Sequence, residues 1–323
     1  TNIPESELRN VYLPPFRAVV DAGVATVMTS FSDLNGIPAS GNRFLMRQVL
    51  REEWLFDGFV VSDWASIEQL TVQGYTANDR EAASEALFAG VNMEMATPLY
   101  AENLESLLAE GRITETEIDF MVADILRVKI NLGLFENPYT DPGRFPAVSS
   151  DQNLATALES ALQSIVLLEN RHRTLPLSKD DLGTLAVIGP LADDPYEQLG
   201  TWILDGDPSI SRTPLQAIRR FVGDGVSVRH VKAMDSTRSR SQAAFGKALA
   251  AARAADAVIV FLGEESILSG EAHSRADISL PGNQAELVRT LSRAGKPLVA
   301  VIMAGRPLTL SNILEEVDAL LFA

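Results

Sequence analysis

The stretch "GFVVSDWASIEQL" (residues 58–70) opens as a short apolar strand and turns helical after Trp64. A buried strand that runs into a helix is one half of a parallel βα unit, so this stretch sets the fold class. The same alternation recurs on both sides of it. "VATVMTSF" (24–31) is apolar and β-branched, and "NRFLMRQVLREE" behind it has helical spacing. "DREAASEALFAG" predicts a helix that Gly90 stops. "VNMEMA" (91–96) predicts a third strand, and "ENLESLLAEG" a helix ending at Gly111. In "TETE", Thr114 and Glu117 form a capping box that starts a long helix to Leu132, with Gly133 behind it.

"NPYTDPGRFPAVSS" (137–150) is rich in Pro, Ser and Gly and has no apolar period. It marks a boundary. The expected organisation is a first domain over 1–136, a linker over 137–164 with a helix at about 151–164, and a second domain over 165–323. Strands are expected at 185–189, 226–231, 257–263, 297–303 and 318–323, with helices between them, as at "NQAELVRTLSRAG". This is the pattern of an open, doubly wound α/β sheet. Three βα units cannot close an eight-stranded barrel, and "DALLFA" ends within an apolar strand. The chain therefore reads as part of a larger protein.

The 323 residues carry a formal net charge of −16. Nucleic acid and anionic membranes both demand a basic face, so neither is expected as a partner. No apolar run approaches the roughly 18 residues of a membrane-spanning helix. There is no cysteine, which removes disulfides and thiol catalysis. The three histidines, His172, His230 and His273, are scattered without metal-ligand spacing, and no metal or cofactor is expected. Phosphate-loop, dinucleotide and nucleophile-elbow motifs are absent.

In parallel α/β folds ligands gather at the carboxyl ends of strands, where Asp63 falls. Asp63 has two readings: a helix N-cap that satisfies orphan N–H groups, or a catalytic carboxylate. Trp64 beside it suits a sugar, whose C–H face packs on an aromatic ring, though partial burial is its ordinary role. "FLGEESILSGEAHSRADISLPG" (261–282) follows a strand and runs about 20 residues to the next helix, a length common in functional loops. It holds Glu264, Glu265, Glu271, His273, Arg275 and Asp277. Either it is a solvated loop, or it delivers a carboxylic acid to a site. Two carboxylates on two elements are what glycoside hydrolysis requires.

With these stretches in view, the chain resembles the family 3 glycoside hydrolases, the β-glucosidase-like enzymes. The resemblance rests on "LPPFRAVVDAGVATVMTSFSDLNGIPASGNRFLMRQVLREEWLFDGFVVSDW", "AGVNMEM", "DILRVKINLGLFENPY" and "SALQSIVLLEN" in the first half. In the second half it rests on "LAVIGPLAD", "DAVIVFLGEE", "SGEAHSRADISLP" and "MAGRPLTL", all in one order. It implies the C-terminal part of a (β/α)8-type barrel followed by a doubly wound (α/β)6 sandwich. It implies that Asp63, in "SDW", is the nucleophile of a retaining double displacement. The acid/base comes from the second domain's loop, where "SGE" makes Glu271 the best match and Glu264 and Glu265 the alternatives. Asp63 then works as the charged carboxylate and Glu271 as the protonated acid. Trp64 matches an aromatic on the leaving-group side, and Met28 and Phe31 match pocket-lining positions. Relatives often carry Tyr at Phe31 and Asn at Ser32. The family's Lys-His pair and sugar-binding arginine would lie upstream of "VMTSF", outside this chain.

The activity implied is hydrolysis of terminal β-D-glucosyl residues from oligosaccharides or β-glucosides, in the periplasm or secreted. A β-xylosidase of the same family is the near alternative. An N-acetylglucosaminidase is disfavoured by residues 165–323, which those relatives often lack. A non-catalytic α/β sugar-binding fragment is the alternative from another class, and it has no need of "SDW" at a strand end.

Overall fold

The structure is a computed structural model that describes residues 1–145 and 149–323. It forms two compact units, Thr1–Phe145 and Pro146–Ala323. The division falls inside the expected linker, of which residues 146–148 lie outside the described residues.

The first unit has four short strands: β1 (Thr26–Met28), β2 (Asp33–Leu34), β3 (Ile37–Pro38) and β4 (Phe59–Val61). β1 and β4 pair in parallel, with Val27 opposite Val60. The strand expected over 91–96 is reduced to a single bridge between Met93 and Val61. The ladder begins there, with the Met93 N–H donating to the Val60 carbonyl at 3.0 Å. It stops at Met95, whose N–H goes to the Ser62 hydroxyl instead. Helices Asp79–Ala89, Leu99–Ala109 and Glu115–Asn131 lie as the sequence predicts. Gly90 takes a left-handed φ of 100°, and the Thr114/Glu117 capping box is formed. "FLMRQVLREE" is a wide helix over Phe44–Glu53, where the Trp54 N–H reaches the Val49 carbonyl five residues back. The core sets Val60 of β4 against Ile67, Leu70, Ala82, Ala86 and Val91, all out of contact with solvent.

The second unit is built on one sheet: β5 (Val166–Asn170), β6 (Thr184–Ile188), β7 (Ser227–Val231), β8 (Ala257–Gly263), β9 (Leu298–Met303) and β10 (Ala319–Phe322). Their order is β5-β10-β9-β8-β6-β7, parallel except for β5, which runs antiparallel to β10. Alternate residues face opposite sides, as the strand period of two demands. Ala186, Ile188, Val260, Leu262 and Ala300 pack against Ala248, Leu287 and Leu291. Leu185, Val187 and Phe261 pack against Leu215 and Val226 on the other face. The chain leaves β6 first for β7 and then for β8, so the topology reverses between β6 and β8. Ligands of open α/β sheets settle at the carboxyl edge of such a switch point. The stretch beginning at Glu264 leaves from that edge.

Among the described residues no helix is long and apolar enough to cross a membrane.

Candidate active site

Asp63 stands two residues beyond the end of β4. Its backbone is fixed from several directions. Its N–H donates to Thr29 Oγ1 at 3.4 Å. Its carbonyl accepts the Ser62 hydroxyl at 2.9 Å and the Ser66 N–H at 3.1 Å. The following helix, Gln69–Val72, has Glu68 at its cap position, so Asp63 is not its N-cap. One carboxylate oxygen, Oδ1, accepts the Trp64 N–H at 2.7 Å, and the other meets no donor among the described residues. Beneath lies a buried hydroxyl cluster: Thr29 to Ser40 at 2.8 Å, Ser40 to Ser66 at 2.7 Å, Thr29 to Ser66 at 3.3 Å. Ala65 carries a φ of 54°, a left-handed conformation costly for a residue with a Cβ. Its N–H is held by the Met95 carbonyl at 3.0 Å. The turn thus trades local strain for a fixed aspartate.

The other residues expected at the site differ in exposure. Trp64 is 67% exposed and Met28 50%, while Phe31 is half-buried. Met28 lines an apolar cavity of about 700 Å³ with Phe16, Thr26 and Ser30. Phe31 lines an adjoining, more polar hollow with Gln73 and Tyr75, and Ser32 and Asp33 line both. Trp64 lines neither. Met28 and Phe31 thus line neighbouring hollows of the first unit that meet at Thr1, Ser32 and Asp33.

The three glutamates that the sequence left open are sharply different. Glu264 directly follows β8, whose last residue, Gly263, has a φ of 140°. A Cβ there would stand 1.8 Å from the Met303 carbonyl oxygen, so only glycine lets β8 end this close to β9. The Glu264 side chain has no exposure and accepts from two guanidiniums, Arg275 and Arg306. Glu265 accepts from Thr237 Oγ1 at 2.6 Å and Arg238 Nε at 3.1 Å. Burial pushes its pKa upward, but the bonds from Arg238 and Thr237 outweigh this and hold it below the usual carboxylate range. A group held charged is a poor proton donor. Glu271 is exposed and has no hydrogen-bond or ion-pair partner among the described residues. The sequence suggests loose flanks in "SGE", yet Ser269 is buried and donates its N–H to the Ser266 carbonyl.

Sequence reasoning missed the Thr29/Ser40/Ser66 cluster and the part played by Arg306. The first has no signature, since hydroxyl residues are common at strand ends and loops. The second lies in "MAGRPLTL", 42 residues from the carboxylate it meets. Among the described residues no group of three or more His, Asp or Glu side chains is placed to hold a metal ion.

Residues 1–128 match the glycosyl hydrolase family 3 N-terminal domain, and residues 165–323 match its C-terminal domain. The chain belongs to glycosyl hydrolase family 3. The family's barrel-like N-terminal domain and α/β sandwich C-terminal domain are the α/β architecture expected from the sequence. A periplasmic β-glucosidase of Salmonella typhimurium is 37% identical over 99% of this chain and 45% of its own length. A β-xylosidase of Formosa agariphila is 35% identical over 99% of this chain and 46% of its own. The crystal structure of a β-glucosidase from Listeria innocua superposes with a TM-score of 0.88 at 36% identity. That match covers 99% of this chain and 44% of the other, and the same enzyme has been solved with glucose. The chain thus spans under half the length of the relatives it matches.

Proposed function

We propose that the protein containing this chain is a retaining, exo-acting β-glycosidase that removes terminal β-D-glucosyl residues from oligosaccharides or glycosides. Asp63 is its nucleophile and Glu271 its acid/base. The carrying observation is Asp63 itself: a carboxylate fixed just past a parallel strand, with one oxygen uncommitted, in a family 3 domain. The fates of Glu264 and Glu265 support Glu271 as the proton donor, because both alternatives are tied to arginine.

In the first step an Asp63 oxygen attacks the anomeric carbon while Glu271 gives its proton to the glycosidic oxygen. The C–O bond to the aglycone breaks, the aglycone leaves as an alcohol, and a glycosyl ester remains on Asp63. In the second step the Glu271 carboxylate takes a proton from water, the water oxygen attacks the same carbon, and Asp63 departs as a carboxylate. Two inversions give net retention. A rigid nucleophile suits this, since the attacking oxygen must sit within about 3–3.5 Å of the anomeric carbon. Trp64 flanks the leaving group, and Met28 and Phe31 line the sugar's approach.

A β-xylosidase is the second reading, favoured by the Formosa relative. The named location of the Salmonella relative supports a periplasmic or secreted protein. The test is hydrolysis of p-nitrophenyl β-glucoside and β-xyloside by the full protein, followed by proton NMR of the first sugar released. The β-anomer appearing first, with glucoside preferred, is the expected result. An α-anomer first would overturn retention, and xyloside preference would exchange the two readings.

A further inference from the structure

Among the described residues Glu264 is the sole buried carboxylate, and the double displacement does not use it. A carboxylate taken out of water is tolerated only where opposite charge and hydrogen bonds replace the water. Here two arginines do so, and both also bind the stretch that carries Glu271. Arg275, four residues past Glu271, pairs with Glu264 and donates to the Ser279 carbonyl at 3.0 Å. Arg306, from the segment after β9, donates through Nε to Glu264 at 3.1 Å. Its Nη2 donates to the carbonyls of Leu268 and of His273, the latter at 2.7 Å. Those two carbonyls stand three residues before Glu271 and two after it. Residues 268–273 therefore form an arch with Glu271 near its crown and both feet on one guanidinium. Gly305 completes the seat, since a Cβ there would lie 2.4 Å from Ser269 Oγ.

We propose that the Glu264–Arg275–Arg306 cluster is a positioning device for Glu271. It fixes the backbone on both sides of that residue and so sets how well the acid meets the leaving-group oxygen. The proposal rests on the acid/base reading of Glu271 given above. Glu264 touches no reacting atom and acts through the arginines. Beyond the single 3-10 turn Ser266–Leu268 the stretch has no ladder of backbone bonds to hold it, and charge-assisted bonds from Arg to carboxylate and carbonyl serve in its place.

Two readouts on the full protein test this. Glu264→Gln and Arg306→Met are each expected to speed hydrogen exchange of amides 266–274 by roughly tenfold or more, leaving β8 and β9 protected. The same variants are expected to lose about 100-fold in kcat/KM on aryl β-glucosides with poor leaving groups, and little on the 2,4-dinitrophenyl glucoside, which needs no acid. Unchanged exchange over 266–274 would overturn the anchor. Faster exchange with equal rate loss for both leaving groups would overturn the positioning role and leave a structural cluster. If Glu264→Gln unfolds the domain, seen as fast exchange in β8 and β9, then Arg306→Lys and Gly305→Ala supply the same two readouts. Glu271→Ala tests the underlying assignment separately. A Glu271→Ala protein without leaving-group selectivity would remove the acid/base reading, and the positioning role with it, whatever the exchange results.

Discussion

The end of β4 and the stretch after β8 each present a carboxylate, and they hold it by different means. Asp63 is fixed by its own backbone: Thr29, Ser62 and Ser66 reach its peptide groups from residues that are themselves buried. Glu271 belongs to a stretch with neither strand nor long helix, fastened by guanidiniums at some remove from the residue itself. The comparison teaches that a nucleophile can be positioned by the regular structure that precedes it. An acid on a loop needs non-local ionic anchors.

Removing each carboxylate is the strongest way to break this comparison. Asp63→Ala should lower kcat on p-nitrophenyl β-glucoside by several orders of magnitude, with the far-ultraviolet spectrum unchanged, because no other group can form the glycosyl ester. Retained turnover would refute its role. Glu271→Ala should cost about 10²–10⁴-fold on poor leaving groups and much less on 2,4-dinitrophenyl glucoside. Rates measured across a leaving-group series check this, and a uniform loss would count against it.

Smaller effects sharpen the contrast in support. Thr29→Val keeps the shape but strips a hydroxyl bonded to Ser40 and Ser66. It should destabilise the protein by about 1–3 kcal/mol in urea titration, since buried partners are left unsatisfied. A change under about 0.5 kcal/mol would mean that the cluster does little. The smallest effect concerns acid stability. The pKa of Glu265 in the folded chain is depressed despite the opposing pull of burial. Its contribution is therefore present above the ordinary glutamate value of about 4.3 and fades as pH falls through the depressed one. Glu265→Gln should lower the melting temperature at pH 7, and the gap to the parent should close as pH falls through the depressed value. A constant gap across that window would refute the linkage.

What was legible in the sequence follows from how local each signal is. The strand before Asp63, the capping box at Thr114 and the five parallel strands of the second unit are written in runs of a few residues. β5 was not legible. It follows helix Asp151–Ser164 with no turn residues between, and it pairs antiparallel with β10 at the far end of the unit. The hairpin of β2 and β3 turns on Asn35-Gly36, both at positive φ, a recognised signal hidden by strands only two residues long. The choice among Glu264, Glu265 and Glu271 was open because Arg238 and Arg306 arrive from distant segments. Only folding shows which glutamate is left unpaired.

The central claim is that Asp63 carries the sugar between the two steps. A 2-deoxy-2-fluoro-β-glucosyl fluoride forms the glycosyl ester and slows its hydrolysis, so the labelled residue is read by peptide mass spectrometry of the full protein. The account predicts one fluoroglucosyl group on the peptide containing "VVSDW", located on Asp63 by fragmentation. A label on any other carboxylate, or inhibition with no covalent adduct, would contradict it.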